Sequence, residues 1–282
     1  MDDGRDVIAF RRTGVTDFAE KYGPWAVITG ASEGTGAAFA LQLADEGIST
    51  VLVARREGPL AELADQVRRR GADCVTAAVD LTASDATDRI VAAVGDREVG
   101  LLIANAGADT NSSLFLDNDV TNWERLIHLN ITSTLRNCHQ FGQGMRDRGR
   151  GGIIIVGSGS CYGGLHGMGV YCGVKAFDLC FGEGLWAEMR HVGVDVLNLI
   201  LGRTDTPAHR KIAEESGHVF SPSGMASSED VARIGLEQLP HGPTYNWGQN
   251  NDVAGFAPNS PDERRARIVK IEAMLRGEFV KP

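Results

Sequence analysis

Trp25-Ala-Val-Ile-Thr-Gly30, then Ala31-Ser-Glu-Gly-Thr-Gly36, then Ala37-Ala-Phe-Ala-Leu-Gln-Leu-Ala-Asp-Glu46 carry the architecture of this chain. The first run is short and apolar and stops at a glycine, as a strand covered on both faces does. The third has helical apolar spacing and good helix formers, with Gly47 as its stop signal. Strand, glycine-rich turn and helix in that order set helix N-terminal amides against a pyrophosphate. Gly30, Gly34 and Gly36 are spaced four and then two apart, not as the commoner Gly-x-Gly-x-x-Gly. They serve the same ends: a tight turn, close backbone approach and close helix packing. An ordinary strand-to-helix turn often holds one glycine. Three of them directly after an apolar strand, with Ser32, Glu33 and Thr35 between, favour a nucleotide site.

The next strand is Ser49-Thr-Val-Leu-Val-Ala54. In a dinucleotide site an acidic residue about 20 positions past the glycines binds the ribose 2′-hydroxyl. Here Arg55 and Arg56 follow the strand instead of a carboxylate. A guanidinium can pair a 2′-phosphate through two hydrogen bonds, so the pattern predicts NADP(H) over NAD(H), with NAD(H) left open. Arg55 is the better candidate and Arg56 reads as a solvated loop cation. Glu33 in the glycine loop pulls slightly the other way.

Apolar strands go on alternating with helical stretches to about residue 200 without a Pro/Ser-rich linker. At 282 residues that pattern predicts a single α/β domain. The expected fold is one doubly wound parallel sheet with helices on both faces.

A second cluster lies further on. Tyr171 and Lys175 stand four residues apart, with Tyr171 13 residues after Ser158. On a helix that spacing puts phenol and ammonium one turn apart on one face. A free tyrosine has a pKa of roughly 10 and is a poor base at neutral pH. A fixed cation favours the phenolate, and lowering the pKa by about three units asks for roughly 4 kcal/mol. A serine hydroxyl could then hold a carbonyl or alcohol oxygen while the tyrosine moves the proton. Alone, the pair also fits a surface lysine near a core tyrosine; the rest of the chain raises it.

With these pieces in view the chain resembles the short-chain dehydrogenase/reductase family over roughly residues 25 to 207. Thr29-Gly-x-x-x-Gly-x-Gly36 resembles the family's cofactor loop, and Val79-Asp80-Leu81 stands where its adenine-contacting Asp lies. Asn105-Ala106-Gly107 resembles its structural Asn-Ala-Gly motif, after the strand Leu101-Leu-Ile-Ala104. Asn130, in His128-Leu-Asn-Ile-Thr132, falls at the family's catalytic Asn, and Ser158 ends the strand Ile153-Ile-Ile-Val-Gly157. With Tyr171 and Lys175 these make a tetrad. Leu201-Gly-Arg-Thr-Asp-Thr-Pro207 resembles the Pro-Gly-x-x-x-Thr-Pro segment beside the nicotinamide, which implies cofactor contacts from Gly202, Thr204 and Thr206. Leu201 replaces the usual Pro.

The resemblance implies a Rossmann-type fold and hydride transfer to or from C4 of a nicotinamide. It also implies that Lys175 holds the nicotinamide ribose and that Asn130 supports a water-linked proton relay. Phe18-Ala-Glu-Lys-Tyr-Gly-Pro-Trp-Ala-Val-Ile28 and Val51-Leu-Val-Ala-Arg55 resemble the branch with 3-ketoacyl-thioester and 17β-hydroxysteroid reductases. Ser160 is a second hydroxyl near Ser158; the spacing to Tyr171 favours Ser158.

Composition sets outer limits. The chain is 43% hydrophobic, carries a net charge of −9 and has a pI near 5.3. That suits a globular protein and argues against a broad nucleic-acid or anionic-membrane surface. No apolar run reaches the length of a membrane span, and Met1-Asp-Asp-Gly-Arg-Asp6 lacks a secretory core. The five cysteines (Cys74, Cys138, Cys161, Cys172 and Cys180) show no paired spacing, which predicts reduced thiols and a cytoplasmic protein. Cys172, beside the tyrosine, reads as a small buried filler. The histidines show no zinc-like pairing, so no metal is expected.

Residues 1–24 form an N-terminal extension, 25–250 the nucleotide-binding domain with a substrate lid at 205–228, and 251–282 a C-terminal extension with a helix over Asp262 to Met274. Six glycines between Gly157 and Gly169 read as a flexible rim to the site. Ser160, Cys161, Tyr162, Leu165, His166 and Met168 are the candidate substrate wall. Their mixed apolar character, without an Arg clamp, points to a medium or large apolar ketone of acyl, terpenoid or steroid type. The expectation is therefore an NADP(H)-dependent ketone reductase or alcohol dehydrogenase. A non-catalytic NADP-sensing regulator is the alternative, but a sensor has no need of Ser158, Tyr171 and Lys175 together. A lyase or epimerase would favour another glycine spacing. The stretches 119–148 and 170–191 are expected to pair subunits in a homodimer or homotetramer; the second holds Phe177, Leu179, Phe181, Leu185 and Trp186, more apolar residues than one internal face needs.

Overall fold

The computed structural model describes residues 17–108, 113–164, 167–215 and 222–247, together with Asp262 and Arg265. Chain order runs α1 (Asp17–Tyr22), β1 (Trp25–Thr29), α2 (Gly34–Asp45), β2 (Ser49–Ala54), α3 (Glu57–Arg69), β3 (Cys74–Ala78), α4 (Ala86–Val94) and β4 (Val99–Ala104). It continues with α5 (Val120–Ile127), α6 (Ser133–Arg148), β5 (Gly151–Ser158), α7 (Gly169–Met189) and β6 (Val194–Leu201). Then come β7 (Thr204–Asp205), α8 (Pro207–Glu215), β8 (Ala226–Ser227), α9 (Ser228–Gln238) and β9 (Thr244–Trp247).

Seven strands form one parallel sheet in the order β3-β2-β1-β4-β5-β6-β9. The order reverses direction between β1 and β4, and a crevice opens there at the strands' C-terminal ends. Parallel strands need long crossovers, and the helices that make them cover both faces. Alternate strand residues therefore go to opposite cores. Ile28, Leu52, Ile103, Ile154, Leu197 and Leu199 pack with α2, α3 and α9. Val27, Val51, Leu102, Ile153, Ile155 and Val196 pack with α4, α6 and α7. This is the doubly wound sheet that the alternation predicts. Each buried aliphatic or Phe39-type side chain contributes about 1.5–3 kcal/mol to this core.

Three details position the site. The glycine turn is already the first turn of α2, which starts at Gly34 rather than at Ala37; Gly30 (φ +65°) and Gly34 (φ +58°) sit in the left-handed region that favours glycine. The expected helix over 119–148 contains a π turn, His128–Thr132, between α5 and α6. The wide turn carries Asn130, whose Nδ2 donates to Leu126 O at 3.0 Å. Finally, α7 lies close on β6 because Gly182 faces Asn198: a Cβ at Gly182 would sit 2.3 Å from Asn198 Oδ1. Asn198 Nδ2 donates to Leu179 O at 3.1 Å, tying the tyrosine-bearing helix to the sheet.

α1 falls inside the stretch read as an N-terminal extension, yet it packs on the core. Phe18 and Tyr22 join the first cluster, and the Tyr22 hydroxyl donates to Asp195 Oδ2 at 2.5 Å. Burial, then the hydrogen bond and the charge of Asp195, push the Tyr22 phenol far above its ordinary range. Residues 1–16 and most of the C-terminal extension lie outside the described residues; Asp262 and Arg265 are helical, and Arg265 reaches His241 O at 3.2 Å.

Candidate active site

At the crevice, β1 and β4 are laced together by Thr29 and Asn105. Thr29 Oγ1 accepts from the amides of Asn105 (3.1 Å) and Ala106 (3.2 Å). Asn105 Nδ2 donates to Thr29 O and Gly30 O, both at 3.1 Å. The turn has no room for a side chain: a Cβ on Gly36 would lie 2.3 Å from Gly30 O, and one on Gly30 2.9 Å from Ala106 Cα. Glu33, the N-cap of α2, makes no side-chain cap, so no side chain claims the first-turn amides. Thr206 closes over the turn, since a Cβ on Gly34 would meet its side chain at 3.4 Å. A bare backbone turn at a helix N-terminus, roofed by a threonine, fits a dinucleotide pyrophosphate.

Ser32, Glu33, Gly34 and Thr35 thus share the turn with Gly30 and Gly36, while Thr204, Thr206 and Gly202 come from the far side of β6. Gly202 N donates to Trp247 O at 2.8 Å, and Thr204 is buried in the β7–β8 pair. Arg55 and Arg56 lie exposed past β2. Arg56 pairs with Glu33 at 2.5 Å; Arg55 has no ion pair among the described residues. Asp80 accepts from the Thr82 amide (3.0 Å) and hydroxyl (2.8 Å) and pairs with Arg125 at 2.9 Å. Burial opposes ionisation of its carboxyl, but Thr82, Arg125 and Arg55 together hold it below the usual carboxylate range. Leu81 beside it is buried in the α4 face of the core.

The second half of the site comes from β5, α7 and the π turn. Ser158 ends β5 and caps the 3-10 turn Gly159–Tyr162, accepting from the Ser160 amide at 3.3 Å and lying 3.3 Å from the Ser160 hydroxyl. Tyr171 is half-buried in the first turn of α7, and Lys175 Nζ is 5.9 Å from its ring centroid. Lys175 is fully buried; Nζ donates to Val156 O at 3.2 Å and pairs with Asp178 Oδ2 at 3.0 Å. Burial pulls its pKa down, but Asp178 and Tyr171 more than restore it, so the ammonium stays above its ordinary range. Gly107 brings the two sides together: a Cβ there would lie 2.5 Å from Asn130 Oδ1 and 3.0 Å from Lys175 Nζ. Asn130 is buried, and its Oδ1, which faces this corner, has no hydrogen-bond partner among the described residues.

The structure thus brings Asn130, Gly107 and Lys175 to one point, with Tyr171 one helical turn away. Of the candidate substrate wall, Ser160 and Met168 are half-buried at the rim. Cys161 is buried in a small cluster with Leu179 and Ile200, and Tyr162 packs against that cluster, donating to Asn246 Oδ1 at 2.7 Å. Leu165, His166 and residues 216–221 of the expected lid lie outside the described residues. The rest of that segment holds α8, whose Arg210 forks onto Asp205 with two contacts of 2.7 Å. Cys172 is buried in α7, as a filler would be. Sequence reading missed Asp178, although an acid three residues past the lysine inside Val174-Lys-Ala-Phe-Asp-Leu179 was its visible signal.

The crevice with its bare glycine turn is that of the α/β dinucleotide-binding class. The sequence model described as short chain dehydrogenase matches residues 24–217, and the chain belongs to that family. It is 31% identical over 263 residues to a 7beta-hydroxysteroid dehydrogenase of Clostridium sardiniense, covering 92% of this chain and 98% of that one. It is 33% identical to a very-long-chain 3-oxoacyl-CoA reductase of Laccaria bicolor, over 86% of this chain and 71% of the other. Among solved structures, one described for 7beta-hydroxysteroid dehydrogenase stereoselectivity superposes with a TM-score of 0.76 at 26% identity, over 90% of this chain and 100% of that one. A short-chain dehydrogenase from Sphingobium yanoikuyae in complex with NADPH gives 0.74 at 25% identity, over 92% and 97%. The chain is an oxidoreductase acting on CH–OH or C=O groups with a nicotinamide dinucleotide. Among the described residues no helix is long and apolar enough to cross a membrane.

Proposed function

We propose that this enzyme is an NADP(H)-dependent oxidoreductase for a medium-to-large apolar ketone or its secondary alcohol. The observation that carries the reading is the fixed Tyr171–Lys175 pair on α7, facing the Gly107–Asn130 corner beside the glycine turn. Gly30, Gly34 and Gly36 hold the pyrophosphate on backbone amides, Asp80 and Leu81 border the adenine, and Arg55 takes the 2′-phosphate. When bound, the nicotinamide supplies or accepts the hydride at its C4. Ser158 Oγ holds the substrate oxygen, and Tyr171 Oη gives that oxygen a proton in reduction or removes one in oxidation. Lys175 has three protons; Val156 O and Asp178 take two, and the third serves the nicotinamide ribose. Asn130 anchors the water chain that refills the proton.

For the substrate, support comes from relatives named for steroid and very-long-chain 3-oxoacyl substrates, both large and apolar. Among the described residues of the candidate wall, Ser160, Cys161, Tyr162 and Met168, there is no Arg to hold a carboxylate, which agrees with them. Residues 205–228 serve as the lid over such a substrate. The test is a panel of steroid, acyl-thioester and terpenoid ketones read by NADPH absorbance, with NADH in parallel and Tyr171→Phe as control. Turnover should fall about 10²–10⁴-fold in Tyr171→Phe while NADPH binding stays. Near-parent turnover in that variant, or activity only on small hydrophilic ketones, overturns the reading.

A further inference from the structure

Tyr171, Lys175 and Asp178 lie at i, i+4 and i+7 of α7, so they form one stripe along its inner face. Lys175 and Asp178 are each only 2% exposed in their side chains, and no other carboxylate pairs with Lys175 among the described residues. An ammonium that far from water releases its proton unless a fixed anion stands beside it. Among the described residues that anion is Asp178, one turn beyond the lysine and two turns beyond the phenol. Its Oδ2 takes the ammonium at 3.0 Å; its Oδ1 is buried and has no hydrogen-bond partner among the described residues.

We propose that Asp178 is a positioning residue for proton transfer: its carboxylate pins the charged Lys175 ammonium against Val156 and aims the remaining proton at the Gly107–Asn130 corner. The proposal deepens the catalytic reading above and rests on it. Asp178 does not touch the reacting atoms; it acts through Lys175, and Lys175 acts on Tyr171. The neighbours that share the field are few. Cys138 of α6 faces Asp178, and burial followed by that negative charge pushes its thiol far up, so it stays neutral. Cys161 of the 3-10 turn and Tyr171 face Lys175. Asn130 of the π turn is uncharged. Burial, the larger effect, pushes the Asp178 carboxyl up and Lys175 opposes it.

The sign of the consequence follows. Without the carboxylate, Lys175 loses its proton at lower pH, and a neutral amine no longer favours the phenolate. Alcohol oxidation needs the phenolate, so its rising acid limb must move to higher pH. Were Asp178 instead only a damper on the lysine's field, its removal would move that limb to lower pH.

The experiment is the pH profile of kcat for alcohol oxidation in Asp178→Asn, which keeps shape and polarity but not charge. The acid limb should move up by about one pH unit or more. The NADPH dissociation constant, read by fluorescence, should stay within about threefold of the parent at pH 6 and weaken relative to the parent as pH rises and the unpartnered ammonium gives up its proton. Asp178→Glu, which restores the charge, should return the limb towards the parent position. An unmoved limb, a downward shift, or a loss of rate equal at every pH overturns the proposal. Tyr171→Phe run beside it separates the two readings: full activity there sinks the catalytic assignment itself. An inactive Tyr171→Phe with an unmoved Asp178→Asn limb sinks only the role of Asp178. If Asp178→Asn does not fold, Asp178→Ser is read in the same way; if neither folds with NADPH present, Asp178 is structural and the proposal falls.

Discussion

Glu33 and Arg56 meet across the mouth of the glycine turn, Arg56 Nη2 lying 2.5 Å from Glu33 Oε2. The pair is solvent-exposed on both sides, at 59% and 41%, so its own worth is small. It ties up one of the two guanidiniums after β2, while Arg55, the proposed partner of the 2′-phosphate, has no ion pair among the described residues. Arg55→Ala should weaken NADPH about ten- to a hundred-fold and leave NADH nearly unchanged, since charged hydrogen bonds contribute about 1.5–3 kcal/mol. Glu33→Gln frees Arg56 and should tighten NADPH by no more than about fivefold, the limit set by an exposed pair. Titration of both cofactors against parent and variants checks this; an equal loss of NADH in Arg55→Ala refutes it.

Ser158 and Ser160 are close enough to exchange a hydrogen bond, at 3.3 Å between hydroxyls, yet they should differ in consequence. Ser158 ends β5 and is the residue at the 13-residue spacing from Tyr171, whereas Ser160 sits one step into the 3-10 turn. Ser158→Ala should cost about 10²–10³ in kcat, the usual loss when a donor to a reacting oxygen is removed. Ser160→Ala should cost less than about threefold, because it removes only a neighbour's hydrogen bond. Steady-state kinetics on one ketone decides, and a reversed order would exchange the two roles.

Asn105 is a staple with two good bonds to the carbonyls of Thr29 and Gly30. Asn105→Ala should lower stability by about 1–3 kcal/mol in urea unfolding, because part-buried carbonyls lose their donors. Gly36→Ala should do more. Its Cβ would meet a backbone oxygen and the Asn105 amide, neither of which can swing aside as a flexible side-chain tip can. That variant should bind no dinucleotide by isothermal calorimetry even where it still folds; normal binding would mean the turn is looser than described.

On α7, Leu179 and Trp186 turn inward and are buried, while Phe177, Phe181 and Leu185 stay half-buried on another face. Phe177 and Phe181 stack at 5.4 Å, and Ile127 of α5 and Leu135 of α6 are exposed at 39% and 44%. A face of that kind suits a second copy of the chain. Light scattering at micromolar concentration should give a homodimer or homotetramer, and Phe181→Glu should lower the mass to that of a smaller species without unfolding it. A fully active monomeric parent would remove this expectation.

Sequence alone determined the parts whose physics is local. An apolar run, three glycines and a helical pattern specify strand, turn and helix because each answers to neighbours within a few residues, and the structure has β1, the turn and α2 there. The four-residue step from Tyr171 to Lys175 and the alternation of strands and helices to about residue 200 were legible for the same reason, whereas the edge strand β9 at Thr244–Trp247 was not. The opening residue of α2 and the π turn at Asn130 were not, since both depend on which carbonyl an amide finds once the helix is packed.

Only the tertiary structure decided the contacts between distant segments: Thr206 over Gly34, Tyr22 on Asp195, Lys175 on Val156 O, and Gly107 between Asn130 and Lys175. It also decided what burial does to charge. Asp178 is an ordinary acid in the sequence and becomes the counter-ion of Lys175 only when α7 closes on β6 at Gly182 and removes the water from both. Residue order can place two charges on one helix face. The dielectric around them, and so whether they must pair, is set by everything folded on top.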